Sequence, residues 1–440
     1  MDISEYGVGN QRENSATSNV FMSGAASNFD HDTPIMVEDT QADRMDAYVR
    51  PVGGVSGNGP YNFEIPPSAD SYLLMNNITL YVKAKITKSD GSDCAATDNV
   101  APVCGLGAVM WEHAEVSLND YAITGASASN THYKAYLETI LSHDSLHKDT
   151  SLRCQLFYMD DAATTDNPSS TNKGWLARQK LTKLSAEFDM CGPLTIDFLR
   201  ANKHLAPGNK LNIKLTRAQD RFLLYGPAGD YRLEIVDLQL RFYRVRLTEK
   251  KIPPRIENYF FSRTELKRFP VPTGQPAYHL TLFRGHPLPK SIIIAQVATD
   301  SAEGELSKNP FNFHHFNLSR LSLRVNGRAI PSDDYTPDFS KKLVHREYFS
   351  LFANTGVGGS DRGNMISLAG FLKGSTIFPY DLTPDMCNSA HFHEGVPGEI
   401  TLDLHWTEAL TQPITVLALC VYDCMLVKKA GENEHELHTL

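Results

Sequence analysis

His391 and His393 are separated by one residue and followed at once by Glu394, in the stretch HFHE. Side chains alternate along an extended segment, so the two imidazoles would share a face and could chelate zinc. A catalytic zinc site needs a third protein ligand, and no nearby motif supplies one. Gly395 and Pro397 follow, so the segment reads as a polar loop ahead of a strand. Asp333, Asp334 and Asp338, in PSDDYTPD, could hold calcium. They lack the ordered ligand spacing of a calcium loop and read as solvated turn carboxylates. His314 and His315 are adjacent and would diverge in a strand. GVGGSDRGN (356–364) is glycine-rich, but no Lys-Ser/Thr follows it and no helix opens there, so it reads as a surface loop rather than a phosphate cradle. GxSxG, HExxH and a Cys–His nucleophile context are absent. The residues therefore predict no catalytic group, no bound metal and no cofactor, and a protein that is not an enzyme.

The more informative pattern is structural. SLNDYAI (117–123) alternates, turns at Asn119-Asp120 and alternates again; RVNGRAI (324–330) does the same around Asn326-Gly327. A two-residue hairpin needs positive φ at both central residues, which Asn, Asp and Gly adopt at least cost. PGNKLNIKL (207–215), opening on Pro207-Gly208, is echoed by PGEITLDL (397–404), opening on Pro397-Gly398. Both pairs are expected to be turns that feed a strand. The long apolar strand at 231–247 has its counterpart in PITVLALCVYDCMLV (413–427), and YVKAKITKSDG (81–91) a looser one in IIIAQVATDSAEG (292–304). Four echoes in one order imply two copies of one all-β unit.

Around these landmarks the chain reads as short strands joined by Pro, Gly and Asn turns. Strict alternation over 77–87 predicts a half-buried strand. Further strands are expected at 194–199, 210–216, 279–283 and 291–299. Helical spacing of Tyr133, Tyr136, Leu137, Ile140 and Leu141 predicts a helix over 131–142, capped by Asn130 or Thr131. WLARQKLTKL (175–184) predicts a second short helix. The helical stretch 131–183 and the loop 300–315 would be insertions between strands. The expected organisation is a flexible arm at 1–45, a first unit at 46–250 with a helical insert near 130–183, a second at 251–430 after the rigid Pro253-Pro254 link, and a tail at 431–440. The fold class is all-β: two tandem sandwiches or barrels, whose long returns between hairpins suit a jelly roll.

Composition agrees. The 440 residues exceed a single core and suit two domains of about 200 residues. The net charge of −9 argues against a protein whose main task is gripping nucleic acid. The most basic stretch, Arg241 to Arg255, reads as a polar strand end and a linker. Seven scattered cysteines without a CxxC pair predict reduced thiols, with Cys420 and Cys424 packed as small hydrophobes. The opening residues carry no basic and apolar leader pattern, so no secretory signal is expected.

The segments NPFNFHHFNLSRLSLRVNGRAIPSDDYTPDF (309–339), REYFSLFANTG (346–356) and FPYDLTPD (378–385) resemble capsid-like proteins of Polinton (Maverick) elements and related animal DNA viruses. AEVSLNDY (114–121) and YKAYLETIL (133–141) are similar to the same group. The resemblance spans about residues 60–427 and implies a double jelly roll, with three chains forming a homotrimeric, pseudo-hexameric capsomer of an icosahedral shell. It further implies contacts with neighbouring capsomers and with penton and minor capsid proteins, and residence in the virion after assembly inside a host cell. Direct nucleic-acid binding is not expected, and a membrane contact is left open. MSGAA (22–26) is a near match to the sites of adenovirus-type proteases, with Ala26 where glycine is usual. The rival readings are a two-domain β-sandwich glycan-binding protein or hydrolase, and a domesticated, capsid-derived host protein. The first predicts an aromatic-lined cleft; Trp111, Trp175 and Trp406 are scattered along the chain.

Overall fold

The structure is a computed structural model that describes residues 41–55, 57, 59–247, 256–285, 287–358, 363–386, 392–429 and 435–439. The Pro253-Pro254 link, MSGAA, Cys387, His391 and the first forty residues of the expected arm lie outside them. Among the described residues, eight strands build the jelly-roll sheets of the first half: β1 (Gln41–Val49), β2 (Tyr61–Ile65), β3 (Thr79–Lys88), β4 (Trp111–Leu118), β5 (Tyr121–Ala122), β6 (Phe188–Pro193), β7 (Leu211–Arg217) and β8 (Tyr231–Leu247), beside a short added segment at Ser71–Leu73 and a separate two-stranded ribbon of Ala101–Pro102 and Leu224–Tyr225. Eight more build those of the second: β9 (Ile256–Val271), β10 (Ala277–Gly285), β11 (Ser291–Ala298), β12 (Leu318–Val325), β13 (Arg328–Tyr335), β14 (Ile377–Asp381), β15 (Gly398–Trp406) and β16 (Ile414–Lys429).

The pairing repeats strand for strand. In the first half the sheets run β1-β8-β3-β6 and β2-β7-β4-β5; in the second, β9-β16-β11-β14 and β10-β15-β12-β13. Adding eight to each number converts one half into the other. Two four-stranded antiparallel sheets connected in this order make a jelly roll, so the chain is two jelly rolls in tandem. The first-named sheet of each roll is called its main sheet below. Three strands show the alternation most plainly: Leu80, Val82, Ala84 and Ile86 are buried on β3, Leu211, Ile213 and Leu215 on β7, and Ile400, Leu402, Leu404 and Trp406 on β15, while β16 is buried on consecutive residues from Ile414 to Cys420. The cores of both rolls merge into one apolar cluster.

In both rolls the insert between the fifth and sixth strands is helical. α1 (Thr131–Ser142) begins nine residues after Ala122, and α2 (Lys173–Thr182) follows it; α3 (His345–Ala353) begins ten residues after Tyr335. The first two helices lie where the spacing places them. Asn130 does not cap α1: it has φ 56° and its side chain makes no cap bond, reaching Leu266 O at 3.4 Å instead.

Several expectations change. LTIDFL is no strand: β6 ends at Pro193 and Asp197–Arg200 is a 3-10 turn, in which Phe198 and Leu199 are buried and Asp197 is held by Lys134 and by the N–H of Thr264. The loop 300–315 opens with a helical turn at Thr299–Glu303. Residues 41–45 belong to β1, paired with β8, rather than to the arm. In the tail, His435–Thr439 forms β17 on the edge of β16 beyond β11. The matching edge of β8 is taken by the short segment Ser71–Leu73.

Candidate assembly surface

The hairpin turns show why the same dipeptide is needed twice. Asn119 and Asp120 have φ of 48° and 69°, Asn326 and Gly327 of 51° and 78°, the left-handed pair a tight hairpin requires. Each first Asn also clamps the next strand. Asn119 N–H donates to Lys210 O at 2.9 Å, and its Oδ1 accepts Lys210 N–H at 2.8 Å. Asn326 makes the same two bonds with Glu399, both at 2.9 Å. Pro207-Gly208 is a turn with Gly208 at φ 83°. Pro397-Gly398 is not: Gly398 begins β15 and pairs with Gly285. It must be glycine because a Cβ there would stand 2.4 Å from Asn326 Oδ1, so the clamp itself demands the close approach.

A buried polar cluster lies where the first roll meets β9. Two stretches of the first roll supply it, the start of the α1 insert and the turn after β6. Lys134 Nζ lies 2.6 Å from Asp197 Oδ1, and Asp197 Oδ2 accepts Thr264 N–H at 2.8 Å. Glu138 pairs with Arg200 at 2.7 Å. Lys134, Asp197 and Thr264 are buried. Burial raises the Asp197 carboxyl above its ordinary range, against the pull of Lys134. Burial pushes Glu138 the same way, but Arg200 and Lys134 together bring it below the usual value. A buried ionic cluster of this kind fixes geometry more than it adds stability.

Apolar contacts flank it. Phe198 meets Tyr259 and Phe261 edge-on, with ring centroids 5.8 and 5.6 Å apart. Tyr259 OH donates to Glu257 at 2.7 Å and accepts Ala206 N–H at 3.2 Å. Tyr136 stacks on Phe311 at 4.1 Å. His132 is buried nearby; burial, then Arg268 and His113, hold its pKa down to about 3. Lys148 reaches from one insert to the other, donating to Ile140 O at 2.7 Å and to Asn364 O. A cavity of about 850 Å³ lies between the inserts, lined by Tyr136, Phe157, Asp160 and Phe311 among others.

No family model matches the chain. In sequence it is 22% identical over 351 residues to uncharacterized protein F54H12.2 of Caenorhabditis elegans, covering 74% of this chain and 80% of that one. In structure it is similar to a chain of the Sputnik virophage solved by cryo-electron microscopy, with a TM-score of 0.60, 13% identity, and coverage of 92% and 89%. It is also similar to the major capsid protein of mavirus, with a TM-score of 0.52, 9% identity and 90% of each chain covered. This is the double jelly roll of viral major capsid proteins.

In this capsid fold the residues with chemical promise are spread apart and paired locally. Asp333 binds Arg346 at 2.7 Å, Asp334 binds Arg320, and Asp338 accepts from Ser340 at 2.6 Å. His393 Nε2 lies 3.1 Å from Asp385. His314 and His315 do not diverge; no strand covers them and their rings stack at 4.3 Å. Among the described residues, no three His, Cys, Asp or Glu converge as a metal site. Trp111, Trp175 and Trp406 are each buried. The residues that sequence reasoning missed are those of the seam between the rolls. One signal for them is present: Leu194-Thr195-Ile196-Asp197 after β6 returns as Leu382-Thr383-Pro384-Asp385 after β14.

Proposed function

We propose that this chain is the major capsid protein of a Polinton-like or adenovirus-related DNA virus, and that three copies form a pseudo-hexameric capsomer of an icosahedral shell. The observation that carries the reading is the duplication, strand for strand, of one jelly roll within one chain. Two near-equivalent rolls per chain let three chains present six similar sides, and a cyclic trimer closes on itself so that growth stops at three. The function is then assembly rather than catalysis. Neighbouring capsomers and penton and minor capsid proteins are its partners, and the virion its destination. The burial of all three tryptophans tells against a glycan-binding cleft, which is built from exposed aromatic rings.

A second reading is favoured by the nematode relative: a capsid-derived protein resident in an animal genome, with the fold kept and the shell lost. The test is the mass of the purified protein by size-exclusion with light scattering. A species near three times 48.9 kDa, with pseudo-hexagonal tiles in negative stain, is the expected result. A chain that stays monomeric across salt, pH and concentration would sink the capsomer and leave the second reading.

A further inference from the structure

We propose that the exposed edge strand β1 of the first roll's main sheet is a docking site for a second copy of this chain, whose second roll brings α3 and Met386 to that edge at Met45 and Tyr48. The contact repeats between chains the seam that joins the rolls within one. The proposal rests on the capsomer reading and adds to it the surface by which the copies meet.

The docking segment is identified by the repeated sequence. Phe198 follows Asp197 in the turn after β6, and Met386 follows Asp385 in the turn after β14, the matching strand. Phe198 is 0% exposed, sealed against Tyr259 and Phe261 of the second roll. Met386, in the same place of the repeat, is 64% exposed. One exposed methionine would mean little, since folded proteins keep many apolar atoms at the surface. Here Leu343 and Phe349 are exposed as well, on the insert whose counterpart, α1, makes the rest of the seam; Phe349 is 63% exposed. Three large apolar side chains thus stand uncovered on α3, on its lead-in and on the turn after β14, whereas α1 and the turn after β6 leave none exposed, although Leu146, Leu181 and Leu184 are exposed elsewhere on the first roll's insert.

The receiving face is identified by register. Arg241 on β8 lies between Tyr48 on β1 and Thr79, the first residue of β3. Val421 on β16 lies between Thr264 on β9 and Ser291, the first residue of β11. Tyr48 is therefore the counterpart of Thr264, the residue whose N–H Asp197 holds. Met45, opposite Arg244, is the counterpart of Phe261, opposite Cys424. Thr264 is 4% exposed and Tyr48 56%. The donor surface of the first roll is used within the chain, and so is the receiving face of the second. The two left over, one of each kind, are complementary by descent. Joined head to tail they close a ring of six rolls from three chains.

A cysteine pair tests the contact directly. In a background of Cys154→Ser, Cys191→Ser and Cys387→Ser, Met45→Cys and Met386→Cys are introduced together and the protein is oxidised. The expected product on a non-reducing gel is a covalent species of three chains, formed by neither single variant. A second variant, Phe349→Glu with Met386→Glu, is expected to keep the circular dichroism of the parent and weaken association at least tenfold. If the parent is trimeric but the cysteine pair gives only monomer, or the glutamate variant associates as the parent does, this surface is wrong and the capsomer reading stands. A parent that never associates overturns both.

Discussion

The two rolls have the same strand order, and their main sheets differ in what lies on the outside. On the second roll, Thr264 and Leu266 of β9, with Leu417 and Leu419 of β16, form a buried outer face because segments of the first roll lie on it. On the first roll, Tyr48 of the matching strand β1 and Arg50 just beyond it, the counterparts of Thr264 and Leu266, stand open. The chemistry follows the cover. The second roll's face is Thr and Leu, while the first roll's is charged and aromatic, suited to water and to a partner in turn. Duplication copied the scaffold, and the difference in covering separates a contact made inside the chain from one that the proposed capsomer would use.

Substitution at the paired positions is the sharpest way to break this comparison. Phe198→Ala is expected to cost about 4 kcal/mol of folding stability through the cavity it leaves, whereas Met386→Ala costs below about 0.5 kcal/mol in the monomer. Urea unfolding of both variants measures the difference; equal costs would mean that Met386 is already packed. Lys134→Met comes next, at about 3 kcal/mol, because Asp197 would keep its burial and lose its cation. Adding Asp197→Asn should recover part of that loss.

Acid probes the same seam. His132 stays neutral in the folded chain down to about pH 3, while in the unfolded chain it takes its proton near 6.5. The unfolded state therefore binds more protons below pH 6.5, and stability falls as pH drops, by about 1.4 kcal/mol per unit and about 2 kcal/mol by pH 5. His315, held down to about 4 by burial and then by His314, acts in the same direction. His132→Phe should flatten the slope of stability against pH, and an unchanged slope would remove His132 from the account. The smallest effects concern the hairpins. Asn119→Ala and Asn326→Ala should each cost about 1 kcal/mol by leaving one strand N–H unbound, and the two values should agree if the clamps are equivalent.

Much of the scaffold could be read from the chain because it is written locally. Alternation in β3 and β8, helical spacing in α1, and the paired hairpins each lie within a short window. The misreadings arise where distant contacts decide. Leu194, Ile196 and Phe198 alternate like a strand, yet the turn there buries Asp197 as well, and only Lys134 and Thr264 explain why. Gly398 was expected to be a turn residue, and is a strand residue made small by Asn326. HELHT, at 435–439, has no apolar alternation; it becomes a strand because β16 offers an open edge, and His435 stacks on Tyr121 of the first roll at 5.2 Å. The seam was out of reach for the same reason, since its partners are far apart in sequence and its one repeated signal is a short LTxD.

The covalent join between the rolls has a further consequence. Only eight residues separate β8 from β9, so the seam within a chain forms at an effective concentration of about millimolar however dilute the protein. The same contact between chains would answer to mass action. One copy of the interface is then permanent and the other waits on the amount of protein made, which gives assembly a concentration threshold without any separate switch.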